Sequence, residues 1–290
     1  MPLSAGRTAR VVSPARSSIV FVSIDMEGCA TLVHWDEVRP ADGAEYRRAR
    51  RIMTNEANAV IEGAFAAGAA AVIVNDSHSA MRNLLLEEID ARAQVVSGRI
   101  KRDYMLQGLT SDCSVAFFIG YHGAIGDAHA VMGHTYSPRV IYECRLNGDV
   151  VSELPINAAF AGHHGVPVAL VSGDATTLAE ARRVLPWALA VETKRSVGYY
   201  AADCRSPESV RAELRQMSER ALRDVGAFAA LRVETPLDME IDTVKTIHAD
   251  VACLIPGFER RGPRTIGYIA SDAAAMYRAL MTVIYSGASA

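Results

Sequence analysis

Four apolar runs each break off at side chains able to hold a metal ion: SIVFVSIDMEG at Asp25 and Glu27, AAVIVNDSH at Asp76 and His78, VAFFIGYH at His122, and VPVALVSGD at Asp174. An unbroken Val/Ile/Phe run of this length marks a strand buried on both faces, as in a parallel sheet covered by helices. Ligand sites in such sheets gather beyond the carboxyl ends of the strands. The first three runs are the most pointed, and they predict that Asp25, Glu27, His78 and His122 meet in space although they lie far apart in the chain.

Helical periodicity alternates with these runs. Strands are expected over 18–25, 70–75, 114–120 and 166–171, with helices from about Glu45 to Ala67 and Pro155 to His163. The first helix ends on Gly68, a good C-cap. Ser206 and Pro207 start a further helix running to Gly226, and Ser271 and Asp272 cap a last one through Tyr285. A strand pair, LRVETPLDMEIDT and RTIGYIAS, flanks a short helix around His248 to Leu254, which suggests a small separate sheet after about residue 230. The βα alternation defines an α/β fold, a largely parallel sheet flanked by helices with a smaller β-containing C-terminal portion. The expected layout is a disordered leader over 1–17, an α/β metal-binding catalytic core over 18–205, and a C-terminal portion over 206–290 packing on it.

Composition narrows the class of partner. Thirty basic and 33 acidic residues leave a net charge of −3, so the chain carries no electrostatic footprint for nucleic acid or an anionic membrane surface. No run approaches the ~20 apolar residues of a membrane span, and a small molecule or peptide is the expected partner. The five cysteines form no CxxC pair and leave an odd count, which argues against a disulfide framework and for a reducing, cytoplasmic setting. Cys29, beside the DMEG segment, reads as a buried inert thiol rather than a nucleophile.

Asp25 and Glu27, two residues apart, project to the same face of a strand. Two carboxylates so placed repel each other unless a cation lies between them. With histidines they suit zinc or a similar ion, and a pair of ions makes a hydrolytic centre. The bland alternatives are a helix cap for the DxE pair, a turn for Asp76 to His78, and a loop histidine for His122. The small-residue loop GAIGDAHAVMGHTYS brings His129 and His134, and a histidine there can serve as proton donor or transition-state stabiliser. His129 fits a solvated loop better. His163 and His164 read as helix C-terminal capping, and Glu153, just before Pro155, as a first-turn carboxylate.

Taken in order, SIDMEG, VNDSH, GYH, MGH and SELPINAAFAG resemble the DppA-type D-aminopeptidases, a family of zinc-dependent peptidases. The similarity runs from about Ser18 to Tyr285 and includes MTNEAN at 53–58 and VSG at 96–98. The resemblance implies a dinuclear zinc centre with Asp25 bridging, Glu27 and His78 on one ion, and His122 and Glu153 on the other. It implies His134 as the catalytic histidine, hydrolysis of the N-terminal amide of short peptides by a zinc-activated hydroxide, preference for an N-terminal D-residue, and a closed homo-oligomeric ring. Ser152, where glycine often precedes the ligand glutamate, and Pro155 depart from the family pattern and bear on the substrate pocket. The competing readings are a metal-dependent amidase acting on peptidoglycan-derived peptides, an α/β ligand-binding protein with one structural metal, and an aspartyl-nucleophile phosphatase. The phosphatase lacks a second aspartate and leaves the histidines without a task. Nucleotide binding has no GxGxxG or GxxxxGK[ST] to support it.

Overall fold

The computed structural model describes residues 18–40 and 43–288; the expected leader lies outside them. The chain runs from β1 (Ile19–Ile24) through the short α1 (Trp35–Val38) and the long α2 (Ala44–Ala66) to β2 (Ala71–Asp76), β3 (Gln94–Val96) and β4 (Cys113–Tyr121). A hairpin, β5 (Ile141–Leu146) and β6 (Asp149–Val150), leads into α3 (Glu153–His163), β7 (Val168–Asp174), α4 (Ala175–Val184), β8 (Leu189–Gly198) and β9 (Ala201–Cys204). The remainder is α5 (Pro207–Arg223), β10 (Leu237–Thr243), α6 (Thr246–Ala252), β11 (Phe258–Arg260), β12 (Thr265–Ala270) and α7 (Ala273–Gly287).

Seven strands form the main sheet in the order β3-β2-β1-β4-β7-β8-β9. All its pairings are parallel except that of β8 with β9. The chain winds outward from β1 in one direction to β3, then returns to β4 and winds the other way. β1 and β4 therefore flank a topological switch point, where the connections leave the sheet in opposite directions and open a crevice at the strands' carboxyl ends. Residues alternate across β1: Val20, Val22 and Ile24 pack on the side of α2 and α5, Phe21 on the side of α3 and α7. Because both faces are covered, the strand carries no polar alternation, which is why its run reads as continuous.

The second sheet, β11-β12-β10-β5-β6, is antiparallel. It is not made from the tail alone, as the sequence pattern suggests. The β5–β6 hairpin comes from the segment between β4 and α3, and its short alternating run IYECRL is a weak signal beside the buried strands. Sheet formation here joins residues about a hundred positions apart, such as Ile241 with Cys144. No helix among the described residues is long and apolar enough to cross a membrane.

Candidate metal centre

Three adjacent strands deliver Asp25, Glu27, His78 and His122, while Glu153 opens α3 and His134 lies in the loop between β4 and β5. Asp25 is the first residue beyond β1, and its backbone N–H still donates to the Ile119 carbonyl of β4 at 2.8 Å. Two residues on, Glu27 follows in a turn that packs against the end of β4, where the Gly28 N–H donates to Gly120 O at 2.8 Å. A Cβ on Gly28 would lie 1.9 Å from the Tyr121 carbonyl, so only glycine lets the DxE turn approach β4 this closely. His122 leaves the end of β4. Asp76, at the end of β2, is not part of the cluster: it accepts from Asn83 and Leu84 N–H groups and pins the loop that presents His78. Asp174 is likewise elsewhere. It caps α4 through Thr177 and is the helix start that a reading of strand ends alone overlooks.

The six polar side chains Asp25, Glu27, His78, His122, His134 and Glu153 are all buried. They form two trios, Asp25–Glu27–His78 and His122–His134–Glu153, each with possible ligand atoms within 4.8 Å of one another. Asp25 faces both. Its Oδ1 lies 3.1 Å from His78 Nδ1 and its Oδ2 3.5 Å from His122 Nε2. Glu27 Oε2 is 2.8 Å from His78 Nδ1, and Glu153 Oε1 is 3.5 Å from His122 Nε2. His134 stacks on His122 with ring centroids 4.1 Å apart, and its Nε2 is 3.9 Å from Glu27 Oε1.

Backbone carbonyls fix the orientation of all three histidines. His78 Nε2 lies 2.6 Å from Val38 O, His122 Nδ1 3.0 Å from Gly123 O, and His134 Nδ1 2.9 Å from Met132 O. A carbonyl can only accept, so those nitrogens carry hydrogen and the opposite nitrogen of each ring faces the cluster. His78 Nδ1 then meets two carboxylate oxygens, all acceptors, and only a proton or a cation between them reconciles the contact. Apart from these contacts within the cluster, Glu27 Oε2 and His122 Nε2 have no hydrogen-bond partner among the described residues.

Electrostatics say the same. Burial and then Glu27 push Asp25 up to about 8. Burial opposes the charge of His122, yet Glu153, followed by Glu27 and Asp25, push it up to about 10. Burial and neighbouring His122 bring His134 down to about 4, leaving it neutral at physiological pH. A buried set of three carboxylates and three outward-fixed imidazoles fits a divalent cation site in charge and in chemistry. The 3.5 Å separations of His122 Nε2 from Asp25 and Glu153 match the roughly 3.4 Å between ligands of a tetrahedral zinc with bonds near 2.05 Å.

A second layer, not foreseen from the sequence, holds the Glu27 turn. Lys194 on β8 is fully buried, and its Nζ donates to the carbonyls of Glu27, Cys29 and Leu32. Next to it, Thr193 Oγ1 donates to Gly28 O at 2.6 Å, while Ala30 N–H donates to Glu56 Oε1 at 2.7 Å. The one available signal was a lysine inside the strand sequence LAVETKRSVG, where a buried charge demands partners. Burial pushes the Cys29 thiol well up, in keeping with an inert cysteine. Lys194→Met should lower unfolding stability by about 3 kcal/mol or more, since it strips a charged donor from three buried carbonyls. Urea unfolding would measure the loss, and unchanged stability would remove Lys194 from this role.

This donor set, gathered at the switch point of a parallel sheet, marks a metallohydrolase of the α/β class. The comparisons with known proteins agree: peptidase family M55, D-aminopeptidase, matches residues 19–282, and the chain belongs to that family. It is similar to the D-aminopeptidase of Bacillus subtilis (strain 168), with 33% identity over 270 residues, 91% of this chain and 96% of the relative. It is also similar to a solved structure described as the Zn-dependent D-aminopeptidase DppA from Bacillus subtilis, a self-compartmentalizing protease. The TM-score is 0.88 at 31% identity, covering 94% of this chain and 98% of that one. The chain is thus a peptidase, a hydrolase of peptide bonds.

Proposed function

We propose that this protein is a zinc-dependent aminopeptidase that removes an N-terminal D-residue from short peptides. In this reading Asp25, Glu27 and His78 would hold one zinc, and Asp25, His122 and Glu153 a second. The observation that carries it is Asp25, whose two carboxylate oxygens face two separate imidazole nitrogens. Zinc dependence and D-residue preference are supported by what the relatives are described as doing.

Zinc supplies, when bound, Lewis acidity that acidifies water and polarises the scissile carbonyl. The protein's own contribution to turnover is centred on His134. Its Nδ1–H is committed to Met132 O, so Nε2 presents a lone pair to the centre. Nε2 takes the proton released as water adds to the carbonyl and delivers it to the departing amine nitrogen, which leaves as the C–N bond breaks. A neutral imidazole is needed for the first transfer, and burial, the largest cause of its lowered pKa, favours that form. His134 lies within the second trio and carries ligand-type chemistry. We assign it to proton transfer because Asp25, His122 and Glu153 already stand at first-sphere separations, and His134 is the most exposed of the six at 6%.

Assembly of copies into a closed ring, limiting access to short peptides, is the oligomer we propose, supported by the self-compartmentalizing character of the solved relative. Five free cysteines, three of them buried, support a reducing, cytoplasmic setting.

The test is the zinc content of the purified protein together with hydrolysis of D-Ala and L-Ala p-nitroanilides before and after chelation. Two zinc ions per chain and chelator-sensitive cleavage of the D-substrate are expected; one tightly held ion with no cleavage would favour a structural metal. A second expected result concerns pH. In the metal-free protein His122 is protonated at neutrality and must lose that proton to bind zinc, so zinc affinity should rise from pH 6 to pH 8 with protons released to buffer. Calorimetry in buffers of different ionisation heat reads both, and a flat affinity would contradict the ligand role of His122.

A further inference from the structure

Arg39 is exposed and has two ties to the centre. Its backbone follows Val38, whose carbonyl takes the His78 Nε2 hydrogen at 2.6 Å. Its guanidinium lies over the ring of Trp35, 5.0 Å from the centroid. Trp35 in turn meets His134 edge-on at a centroid separation of 5.1 Å. His134 and His78, at 6% and 5%, are the most exposed of the six cluster residues, and Arg39, itself exposed, is tied to both.

The segment leading into His134 is tied to the turn between β8 and β9. Met132 N–H donates to Tyr199 O at 3.0 Å, the Tyr199 hydroxyl lies 3.4 Å from Gly133 O, and the Tyr200 ring meets that of His34 at a tilt of 52° with centroids 4.6 Å apart. Among the described residues the exposed Arg39 guanidinium has no carboxylate partner. Stacking on an indole limits its orientations while leaving the planar edge of five N–H donors available.

We infer that Arg39, oriented by Trp35, is the subsite for the substrate's C-terminal carboxylate. The inference rests on the peptidase reading. The two ring contacts cap the separation of the guanidinium from His134 at about 10 Å. One or two extended residues span roughly 3.5–7 Å, and a charge-assisted contact of about 3 Å closes the remainder. The subsite therefore selects di- and tripeptides with a free carboxylate, one or two residues beyond the scissile bond, and discriminates against C-terminally blocked or longer chains.

The experiment compares kcat/KM for D-alanyl-glycine and D-alanyl-glycinamide in the zinc-loaded full-length protein, as wild type, Arg39→Gln and Arg39→Lys, with zinc content measured for each. The wild type is expected to favour the free acid about tenfold or more. Arg39→Gln is expected to bring the acid-to-amide ratio near one through KM, with zinc content unchanged, and Arg39→Lys to restore part of the preference. A wild type that cleaves the amide as well as the acid, or a ratio that Arg39→Gln leaves in place, overturns the subsite while the peptidase reading stands. Cleavage of neither peptide by zinc-loaded wild type sinks the peptidase reading, and the subsite with it.

Discussion

Asp25→Ala is expected to yield protein with neither zinc ion and with peptide hydrolysis at background, a loss of at least about a thousandfold in kcat/KM, because no other group can supply the zinc-dependent chemistry. Asp25 is the one carboxylate that faces His78 on one side and His122 on the other. Its removal takes a ligand from both proposed ions at once. Elemental mass spectrometry reads the metal directly, and retention of both ions would refute the bridging role.

A stability measurement separates metal loss from unfolding. In the metal-free protein Asp25 titrates near 8 because burial and Glu27 disfavour its charge. A carboxyl whose folded pKa lies above its unfolded value destabilises the fold progressively as pH rises from about 4 to 8. Metal-free Asp25→Asn should therefore be at least as stable at pH 7 as metal-free wild type, while failing to bind zinc. A variant that lost zinc because it misfolded would show the opposite.

His134→Ala is expected to keep both zinc ions and lose about a hundredfold to ten-thousandfold in kcat, the usual worth of a positioned proton-transfer group. The two possible roles of this side chain give different results. As a ligand alongside His122 and Glu153, its removal would cost one zinc; as the proton carrier, it would cost turnover alone. Normal turnover would remove it from both roles. Trp35 also loses its edge contact with the ring, so His134→Gln, which keeps volume, is the control for displaced packing.

Much of this arrangement was legible in the chain. Unbroken apolar runs identified β1, β2, β4 and β7 within about three residues of their ends, since a strand covered on both faces has no need of polar alternation. The metal-type residues at three of those ends do converge. Glu153 was recoverable only through resemblance: its local sequence describes a helix start, which it is, and nothing in the spacing says that β5 and β6 return that start to the crevice. Asp174 shows the converse error, a strand-end carboxylate spent on capping α4. β8 was missed because LAVETKRSVG mixes charge with apolar residues, and the charge proved to be Lys194, buried against the turn it supports.

By itself the sequence determined what depends on near neighbours: which segments are strands and helices, that the sheet is parallel and covered, and that Asp25 and Glu27 share a face. These follow from periodicity and from side-chain sterics, which act over a few residues. Tertiary structure decided which ends lie side by side. Only the order β2-β1-β4 sets His78 and His122 on opposite sides of Asp25, and only the chain's return from the second sheet brings Glu153 to His122. That order comes from long-range packing and hydrogen bonding between strands, whose partners are not encoded at the positions that carry the chemistry.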